Sequence, residues 1–445
     1  MPSLPDRPPF ALRARVVSPL GGGGTLDVAD GVVEVGADGR ISFVGTASER
    51  AGSLPADVVD VRPWVVMPGM VDLHAHLPQL PNAGIGFALD LLTWLDRLTF
   101  PTERSWADPS VAAALAPPIF RAFAAAGTTT VLAYGVVYEA AMDEAFRAAS
   151  AHGIRAILGK VMMDRVTYDP TIEPSTILDR TLRESAELIS RWHGTDGGRL
   201  GYAVTPRFAV SCTAELLRES AALAASTGSW WQTHVSEDPG EIAEVARLFP
   251  EARDYLDVYD RAGGLGERAV LAHAVHLSTR EVARVVESGS RIAHCPASNL
   301  FIGAGVMPLL AYREAGAVVG LGSDVSGGPD PSLFSVMRVG AYAQMARRSL
   351  LRERATPLTS LEWLRLGTLD GARALGMEAQ IGSLEAGKEA DLIVVDPAMT
   401  APIPEADDDG LLSETDLLVS RLIFRAHPQM VRGAWVRGRA LEGPS

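Results

Sequence analysis

Between residues 67 and 380, short apolar runs alternate with helix-forming stretches rich in alanine, leucine and arginine. This alternation predicts strand–helix units, which build a parallel sheet covered by helices. Eight such units favour a (β/α)8 barrel of the TIM type, in which catalytic residues lie at the carboxyl ends of the strands. The apolar runs are VVMPGMVDLHAH, TTTVLAYG, IRAILGKVMMD, GYAVTPRF, WWQTHVSE, AVLAHAVHL, RIAHCPASN and VVGLGSDV.

The two ends of the chain have a different pattern. In GVVEVGADGRISFVG, alternating apolar residues flank the turn Ala37-Asp38-Gly39-Arg40, which predicts a β-hairpin. Strand-like segments return in KEADLIVVDP and QMVRGAWVRGRAL, with a Pro- and acid-rich loop at residues 401–410 between them. We therefore expect residues 1–66 and 381–445 to form one small β-sandwich beside a catalytic barrel at residues 67–380.

Composition argues against several partners and locations. The formal net charge of -14 disfavours binding to nucleic acid or to an anionic membrane. No run reaches the roughly 18 apolar residues of a membrane span, and the start MPSLPDRPPF lacks the apolar stretch of a secretory signal. We therefore expect a cytoplasmic protein.

The two cysteines, Cys212 and Cys295, form no CxxC pair, and a chain of this size needs no disulfide.

Histidine and aspartate side chains gather at the predicted strand ends. In His74-Ala75-His76, residues two apart on a strand point to one side, so both imidazoles can face one ion. Alone, such a pair is more typical of ordinary surface or core histidines. Imidazole and carboxylate ligands suit zinc, however, and their shared position predicts a metal site. The residues at or near these ends are His74, His76, His234, His273, His294 and Asp324.

Several of these segments resemble the amidohydrolase superfamily: PGMVDLHAH, THVSE, AHAVHL, HCPASN, GLGSDV and, near the end, IGSLEAGKEADLIVVDP. The resemblance covers nearly the whole chain. It implies that His74, His76, His234 and Asp324 bind one metal ion. It also implies that His273 hydrogen-bonds a water molecule at the ion or lies close to the ion.

The lysines bear on the number of metal ions. Binuclear members of the superfamily with a bridging carboxylated lysine carry it at the end of the fourth barrel strand, where this chain has Thr205-Pro206-Arg207-Phe208. The chain has only two lysines, Lys160 and Lys388, and neither falls at that place. We therefore expect one Zn²⁺ per chain, with Fe²⁺ as the alternative. For His294 a place near the metal and a structural role in the HCPASN turn both stay open.

A narrower resemblance is to the guanine deaminases within this superfamily. It rests on HAHLPQ, LLTWLDRLTFPTE, GKVMMD, VTPRFAVSC, HVSED with EIAEVARLFP, and GLGSDVSGG. It implies zinc-dependent hydrolytic deamination of guanine to xanthine and ammonia, a step of purine catabolism. Zinc deaminases of another fold need a P-C-x-x-C motif, which this sequence lacks. Leu77-Pro78 and Val166 depart from the residues more common in the family, and we expect both changes to alter the rim of the pocket.

The resemblance also implies roles in the site. We expect Glu237 to carry protons, although a glutamate there is otherwise typical of helix capping. Asp324 is expected to accept the first proton, so that Glu237, Asp324 and His273 are the predicted catalytic residues. Arg207 can donate to purine O6 and Gln79 can contact an amide-like edge. The full set of predicted substrate contacts is His76, Gln79, Arg207, Phe208, His234, Glu237, Asp324 and Trp94, and core packing is the alternative for Trp94.

Residues 81–106 form a long connection directly after the first metal ligands, with Gly84 and Gly86 at its start. We expect an apolar lid over the substrate, with a rigid helical insertion or a dimer contact as alternatives.

Two other functions stay open at this point. One is a related enzyme acting on another N-heterocycle, such as an oxidised purine, a pterin or an s-triazine, and a turnover screen would distinguish it. The other is a non-catalytic barrel scaffold, which predicts missing metal ligands. The resemblance implies a small-molecule purine and water as partners, and a homodimer.

Overall fold

The computed structural model describes residues 3–169, 171, 173–404 and 410–443. Residues 405–409 of the predicted Pro- and acid-rich loop lie outside these ranges. The strands are β1 (Phe10–Pro19), β2 (Thr25–Val35), β3 (Ile41–Thr46), β4 (Val59–Pro68), β5 (Met70–His76), β6 (Thr128–Tyr134), β7 (Arg155–Gly159), β8 (Val161–Met162), β9 (Leu200–Pro206), β10 (Trp230–Val235), β11 (Ala269–His273), β12 (Arg291–His294), β13 (Val318–Leu321), β14 (Leu392–Val395), β15 (Val431–Val436) and β16 (Arg439–Ala440).

Helices follow most of the strands. None of those in the described ranges is both long and apolar enough to cross a membrane. They are α1 (Leu91–Trp94), α2 (Phe100–Arg104), α3 (Pro109–Ala125), α4 (Glu139–His152), α5 (Ile177–Trp192), α6 (Thr195–Gly198), α7 (Ala214–Thr227), α8 (Pro239–Leu248), α9 (Tyr255–Arg261), α10 (Thr279–Ser288), α11 (Pro296–Phe301), α12 (Leu309–Glu314), α13 (Leu333–Leu351), α14 (Ser360–Leu366), α15 (Leu369–Ala374) and α16 (Thr415–Phe424).

Parallel strands form the predicted barrel. Strands β5, β6, β7, β9, β10, β11, β12 and β13 are hydrogen-bonded in this order, and the short β8 continues β7 and pairs with β9. Backbone hydrogen bonds complete the ring at its carboxyl end. The Asp324 N–H donates to the His74 carbonyl at 2.7 Å, and the His76 N–H donates to the Val325 carbonyl at 2.9 Å. The (β/α)8 fold predicted from the sequence is confirmed, and its closing bonds lie at three of the predicted metal ligands.

Local sequence signals set the helices around this barrel. At the start of α10, Ser278 and Glu281 form a capping box, and Gly289, with φ of 74°, follows the last turn. Val282 and Val285 of this helix are buried, as expected for a helix that covers a sheet. Cys212 and Cys295 are both buried and unpaired.

The two ends of the chain share one seven-stranded sheet in the order β16-β15-β14-β4-β1-β2-β3. The predicted hairpin is present, since β2 and β3 pair antiparallel with Val35 opposite Ile41. The edge strand β3 also bonds to the segment that precedes β14, since the Ile41 N–H donates to the Lys388 carbonyl at 2.8 Å. Strand β4 runs through Gly69 directly into β5 of the barrel. One apolar core is therefore shared by residues from both chain ends, including Leu12, Val33, Trp64, Leu392 and Trp435.

Candidate active site

Strand β5 carries the first two histidines, and a β-bulge decides where they point. The pairing of β5 with β6 shifts between Asp72 and Ala75, which accommodates an extra residue. Leu73 packs in the barrel interior, whereas Ala75 packs in the outer core between sheet and helices. His74 and His76 are buried, with ring centroids 5.0 Å apart.

The predicted metal ligands converge on one point at the mouth of the barrel. His74 Nε2 and His76 Nε2 lie 3.1 Å and 3.4 Å from Asp324 Oδ1. His76 Nε2 lies 3.2 Å from His234 Nε2, and His273 Nε2 lies 3.8 Å from Asp324 Oδ2. Three overlapping trios each have their donor atoms within 4.8 Å of one another: His74 with His76 and Asp324, His74 with His234 and His273, and Glu237 with His273 and Asp324.

Hydrogen bonds indicate the tautomers of two rings. His234 Nδ1 lies 2.7 Å from the Arg207 carbonyl oxygen, which can only accept, so Nδ1 carries the proton and Nε2 keeps its lone pair. His273 Nδ1 lies 2.9 Å from Asn299 Oδ1, which favours the same tautomer. In both rings the free lone pair therefore belongs to Nε2.

The donor set fits a zinc ion. Burial, and after it the charges of neighbouring groups, lowers the pKa of His76 and of His234 well below the usual value. Burial also lowers the pKa of His273 to about 4. Within the described chain, Nε2 of His74 and Nε2 of His273 have no hydrogen-bond partner. Imidazoles near the carboxylate of Asp324, three of them with a lowered pKa, are the ligand chemistry that zinc prefers.

The backbone at these strand ends is in an unfavourable conformation. Ser236, His273 and Asp324 have φ values of 47°, 70° and 47°. Non-glycine residues rarely adopt this left-handed region, which costs on the order of 1–3 kcal/mol each and is often found at functional sites. The surrounding barrel therefore holds these residues against a local preference.

Glu237 is buried beside the metal ligands. Its Oε1 lies 3.4 Å from His273 Nδ1. Burial, and then the charge of Asp324, raises the pKa of Glu237 well above its usual value. Burial also opposes ionisation of Asp324, but the neighbouring His74, whose Nε2 lies 3.1 Å from Asp324 Oδ1, outweighs it and lowers the pKa of Asp324. The two carboxyl groups thus favour opposite protonation states.

Other residues cap the helix that follows Glu237. Asp238 and Glu241 form the capping box of α8. Glu241 accepts hydrogen bonds from the Glu237 N–H at 2.9 Å and from the Tyr255 hydroxyl at 2.6 Å. The side chain of Glu237 is therefore not part of the cap, and Glu241 holds its backbone in place.

A largely closed cavity lies against the metal ligands. All predicted substrate contacts line it except Gln79. Leu91, Trp94 and Leu95, from the long connection after β5, are each about 5% exposed, so this segment covers the cavity with apolar side chains. The lining residues are His76, Leu91, Trp94, Leu95, Arg207, Phe208, His234, Glu237, His273, Ser298, Ile302, Asp324 and Gly327.

Arg207 and Gln79 meet at a carboxylate that sequence reasoning missed. Arg207 Nη1 donates to both oxygens of Glu103, at 3.0 and 2.7 Å, and Gln79 Nε2 donates to Glu103 Oε1 at 2.6 Å. The Arg207 guanidinium also lies 5.3 Å from the centre of the Phe100 ring. Glu103 ends the segment LLTWLDRLTFPTE, which resembles the guanine deaminases, but the resemblance implied no role for this residue.

Two further residues lie just outside the metal ligands. The buried Asp72 accepts the N–H groups of His74 at 3.1 Å and Ser323 at 2.9 Å, which ties β5 to the loop after β13. Burial raises the pKa of Asp72 to about 6. His294 is buried with neither ring nitrogen paired within the described ranges, and burial lowers its pKa to about 3. Its nitrogens are not part of the metal-ligand trios.

The chain is similar to known hydrolases over most of its length. The sequence profile of the amidohydrolase family matches residues 65–441. A probable guanine deaminase of Deinococcus radiodurans is 40% identical over 375 residues, which are 83% of this chain and 83% of that protein.

Solved structures agree with the sequence comparison. The guanine deaminase of E. coli superposes with a TM-score of 0.90 at 30% identity, covering 98% of this chain and 100% of the other. A guanine deaminase from C. acetobutylicum with guanine bound in its active site gives a TM-score of 0.88 at 28% identity, covering 97% and 99%.

Proposed function

The chain belongs to the amidohydrolase family, and from this membership and its site we propose that it catalyses the hydrolytic deamination of guanine to xanthine and ammonia. The observation that carries the proposal is the meeting of two kinds of group in one buried cavity. Metal-ligating imidazoles and a carboxylate lie on one side, and the guanidinium of Arg207, with its preference for carbonyl oxygen, lies in the same cavity.

His74, His76, His234 and Asp324 would hold one zinc ion. When bound, zinc lowers the pKa of a water molecule to roughly 7, which supplies a nucleophile near neutral pH. Neither Lys160 nor Lys388 lies at the end of β9, the fourth barrel strand, where a bridging lysine would be needed for a second ion. Elemental analysis should therefore find about one zinc ion per chain. A second ion per chain would contradict the ligand assignment. One iron ion in place of zinc would keep the ligand assignment and change only the identity of the metal.

The carboxyl groups of Asp324 and Glu237 carry out different proton transfers. As water adds to C2 of guanine, Asp324 accepts its first proton and Glu237 protonates the neighbouring ring nitrogen, N3. The second proton of the water leaves on the amine as ammonia, and the oxygen stays on C2 of xanthine. The proton on Asp324 then passes to Glu237, which restores both carboxyl groups. A raised pKa suits Glu237 for holding and releasing a proton at neutral pH. His273 lies beside this carboxyl group, with Nδ1 3.4 Å from Glu237 Oε1, and its Nε2 has no partner in the described chain and faces the metal site.

Recognition of the purine falls to residues on the opposite side. Arg207 donates to O6, and Phe208 and Trp94 pack against the flat ring. Gln79 does not line the cavity itself, but it shares Glu103 with Arg207, and we propose that its amide contacts the amide-like edge beside that arginine. A cytoplasmic location and a homodimer stay predictions for this protein, as does a division into a barrel at residues 67–380 and a small β domain from both ends.

An ammonia-release assay on metal-analysed protein tests the function. We expect equal amounts of xanthine and ammonia from guanine, with a higher kcat/KM than for 8-oxoguanine, a pterin or an aminated s-triazine. If one of these compounds had a higher kcat/KM than guanine, that compound would be the preferred substrate and the proposal of guanine would be wrong. No turnover of any of them by fully metal-loaded protein would favour a non-catalytic barrel.

A further inference from the structure

Glu103 is a fully buried carboxylate that does not belong to the metal cluster. It lies on α2, within the connection at residues 81–106, and not on a barrel strand. Both of its carboxylate oxygens accept hydrogen bonds from Nη1 of Arg207, and Oε1 also accepts a hydrogen bond from Nε2 of Gln79. Because both donors bond to the same oxygen, Arg207 and Gln79 are held side by side.

This arrangement decides which way the Gln79 amide is turned. An ionised carboxylate can only accept hydrogen bonds, so the amide nitrogen of Gln79 must face Glu103. Gln79 Oε1 is then turned away and has no hydrogen-bond partner in the described part of the chain. A buried acceptor without a partner is unfavourable by itself. Gln79 does not line the cavity, but it lies beside Arg207, which does, so the missing donor would come from a ligand bound at Arg207.

We propose that Glu103 is a positioning residue that sets the selectivity of the site for a lactam edge, O=C–N–H, over an edge with a bare ring nitrogen. This inference rests on the proposed purine chemistry. With Glu103 in place, Arg207 offers donors and Gln79 offers an acceptor next to them. The O6 and N1–H of a 6-oxopurine match this order, whereas the unprotonated N1 of a purine without the oxo group would face the Gln79 oxygen.

A purely structural ion pair makes a different prediction. If Glu103 only anchored the connection, its replacement would weaken all ligands alike. If it turns the Gln79 amide, Glu103→Gln should act on selectivity, because the new amide can donate to Gln79 Oε1 and release the Gln79 NH2 toward the ligand. A ratio of affinities for two ligands separates these cases.

The experiment compares hypoxanthine with unsubstituted purine, which differ in the lactam and carry no 2-amino group to be released. Their inhibition constants are measured against guanine turnover on metal-loaded protein with unchanged circular dichroism. Wild type should prefer hypoxanthine, and Glu103→Gln should reduce this preference roughly tenfold, raise KM for guanine and leave kcat within a few fold. Asp96→Asn, which removes an exposed carboxylate from the same connection, should change neither quantity.

A second variant keeps the test independent of any folding defect in the first. In Glu103→Gln/Gln79→Glu, position 79 is a carboxylate and accepts whatever its rotation, so the preference for hypoxanthine should return. An unchanged preference in Glu103→Gln, or no return in the double variant, would overturn the role of Glu103. Wild-type protein without any preference for hypoxanthine would also overturn this inference, whereas wild-type protein without guanine turnover would instead overturn the proposed function.

Discussion

At the scale of single residues, the site gives different pKa values to two carboxyl groups that lie in the same cavity. Burial and the charge of Asp324 raise the pKa of Glu237, whereas His74 lowers the pKa of Asp324 despite its burial. Environments that push two pKa values apart are how proteins assign acid and base roles to chemically similar groups. The assignment of the proton carrier to Glu237 can be tested without disturbing the metal ligands.

We expect Glu237→Gln to bind purine with an affinity within a few fold of wild type but to lower kcat by at least about 100-fold. Glutamine keeps the shape of the side chain and cannot carry the proton. Turnover and the dissociation constant of hypoxanthine are measured on protein with a verified metal content. Glu244→Gln, on the more exposed side of α8, is the matched control and should retain activity. A kcat within tenfold of wild type would remove Glu237 from its role.

The sequence could predict some of these residues for a physical reason. His74, His76, His234, His273 and Asp324 lie at the carboxyl ends of apolar runs, and a parallel barrel brings such ends together. The position of Glu103 could not be predicted in this way, because α2 lies in an irregular connection that is not part of the repeating strand–helix pattern. The bulge in β5 and the left-handed backbone of Asp324 also depend on the closed barrel and have no local sequence signal.

At the scale of elements, the connection at residues 81–106 is made of short pieces rather than one helix. α1 continues into a π-helical turn at Leu95–Thr99 and then into α2. The α2 end is held by the Glu103 contacts and by Arg104 Nε, which donates to the Tyr168 carbonyl at 2.9 Å. The earlier part is held more lightly. There the Ala88 N–H donates to the Phe301 carbonyl at 3.1 Å, and the side chain of Phe87 is 72% exposed.

This asymmetry sharpens the prediction of a lid. We expect a slowly converted purine analogue to increase amide protection at residues 85–98, because Leu91, Trp94 and Leu95 line the cavity that the ligand fills. Residues 100–104 should be protected in both states, since buried hydrogen bonds hold α2. Hydrogen–deuterium exchange on metal-loaded protein measures both, with α10 as an internal reference. Equal protection of residues 81–106 with and without the analogue would rule against ligand-coupled closure.

Most other elements could be predicted because each carries its own signal. The apolar runs became barrel strands, and the turn between β2 and β3 was marked by its own residues. The connection at residues 81–106 carries apolar residues without a sustained period, so its sequence indicated a cover but not its internal structure. Element type follows from periodicity, whereas the shape of an insertion follows from what it packs against.

At the scale of the whole molecule, a buried ion cluster joins the barrel to the terminal sheet. Arg155, at the start of β7, donates from Nε to Asp391 Oδ2 at 3.0 Å and pairs with Glu389. Arg437 Nε donates to Glu389 Oε2 at 2.8 Å. Arg155 is fully buried, so the two carboxylates would lose their main buried partner without it. This cluster links residues far apart in the chain at the face opposite the active site.

We expect Arg155→Met to lower the free energy of unfolding by about 3 kcal/mol at pH 7, because it leaves buried carboxylates without their partner. Burial opposes ionisation of Glu389, but the hydrogen bond from Arg437 and the charge of Arg155 lower its pKa. A lowered folded-state pKa contributes stability above the unfolded-state value, and this contribution is lost as the pH falls through the folded-state value. The difference in the free energy of unfolding between wild type and variant should therefore be largest at neutral pH and become smaller at acidic pH. Urea unfolding of metal-loaded protein between pH 4 and 8 measures this difference.

Arg183→Met is the control, because it removes the exposed partner of Glu187 on α5, and it should change stability little at any pH. A destabilisation by Arg155→Met that does not vary with pH would mean that lost packing, not the unpaired carboxylates, dominates at this junction.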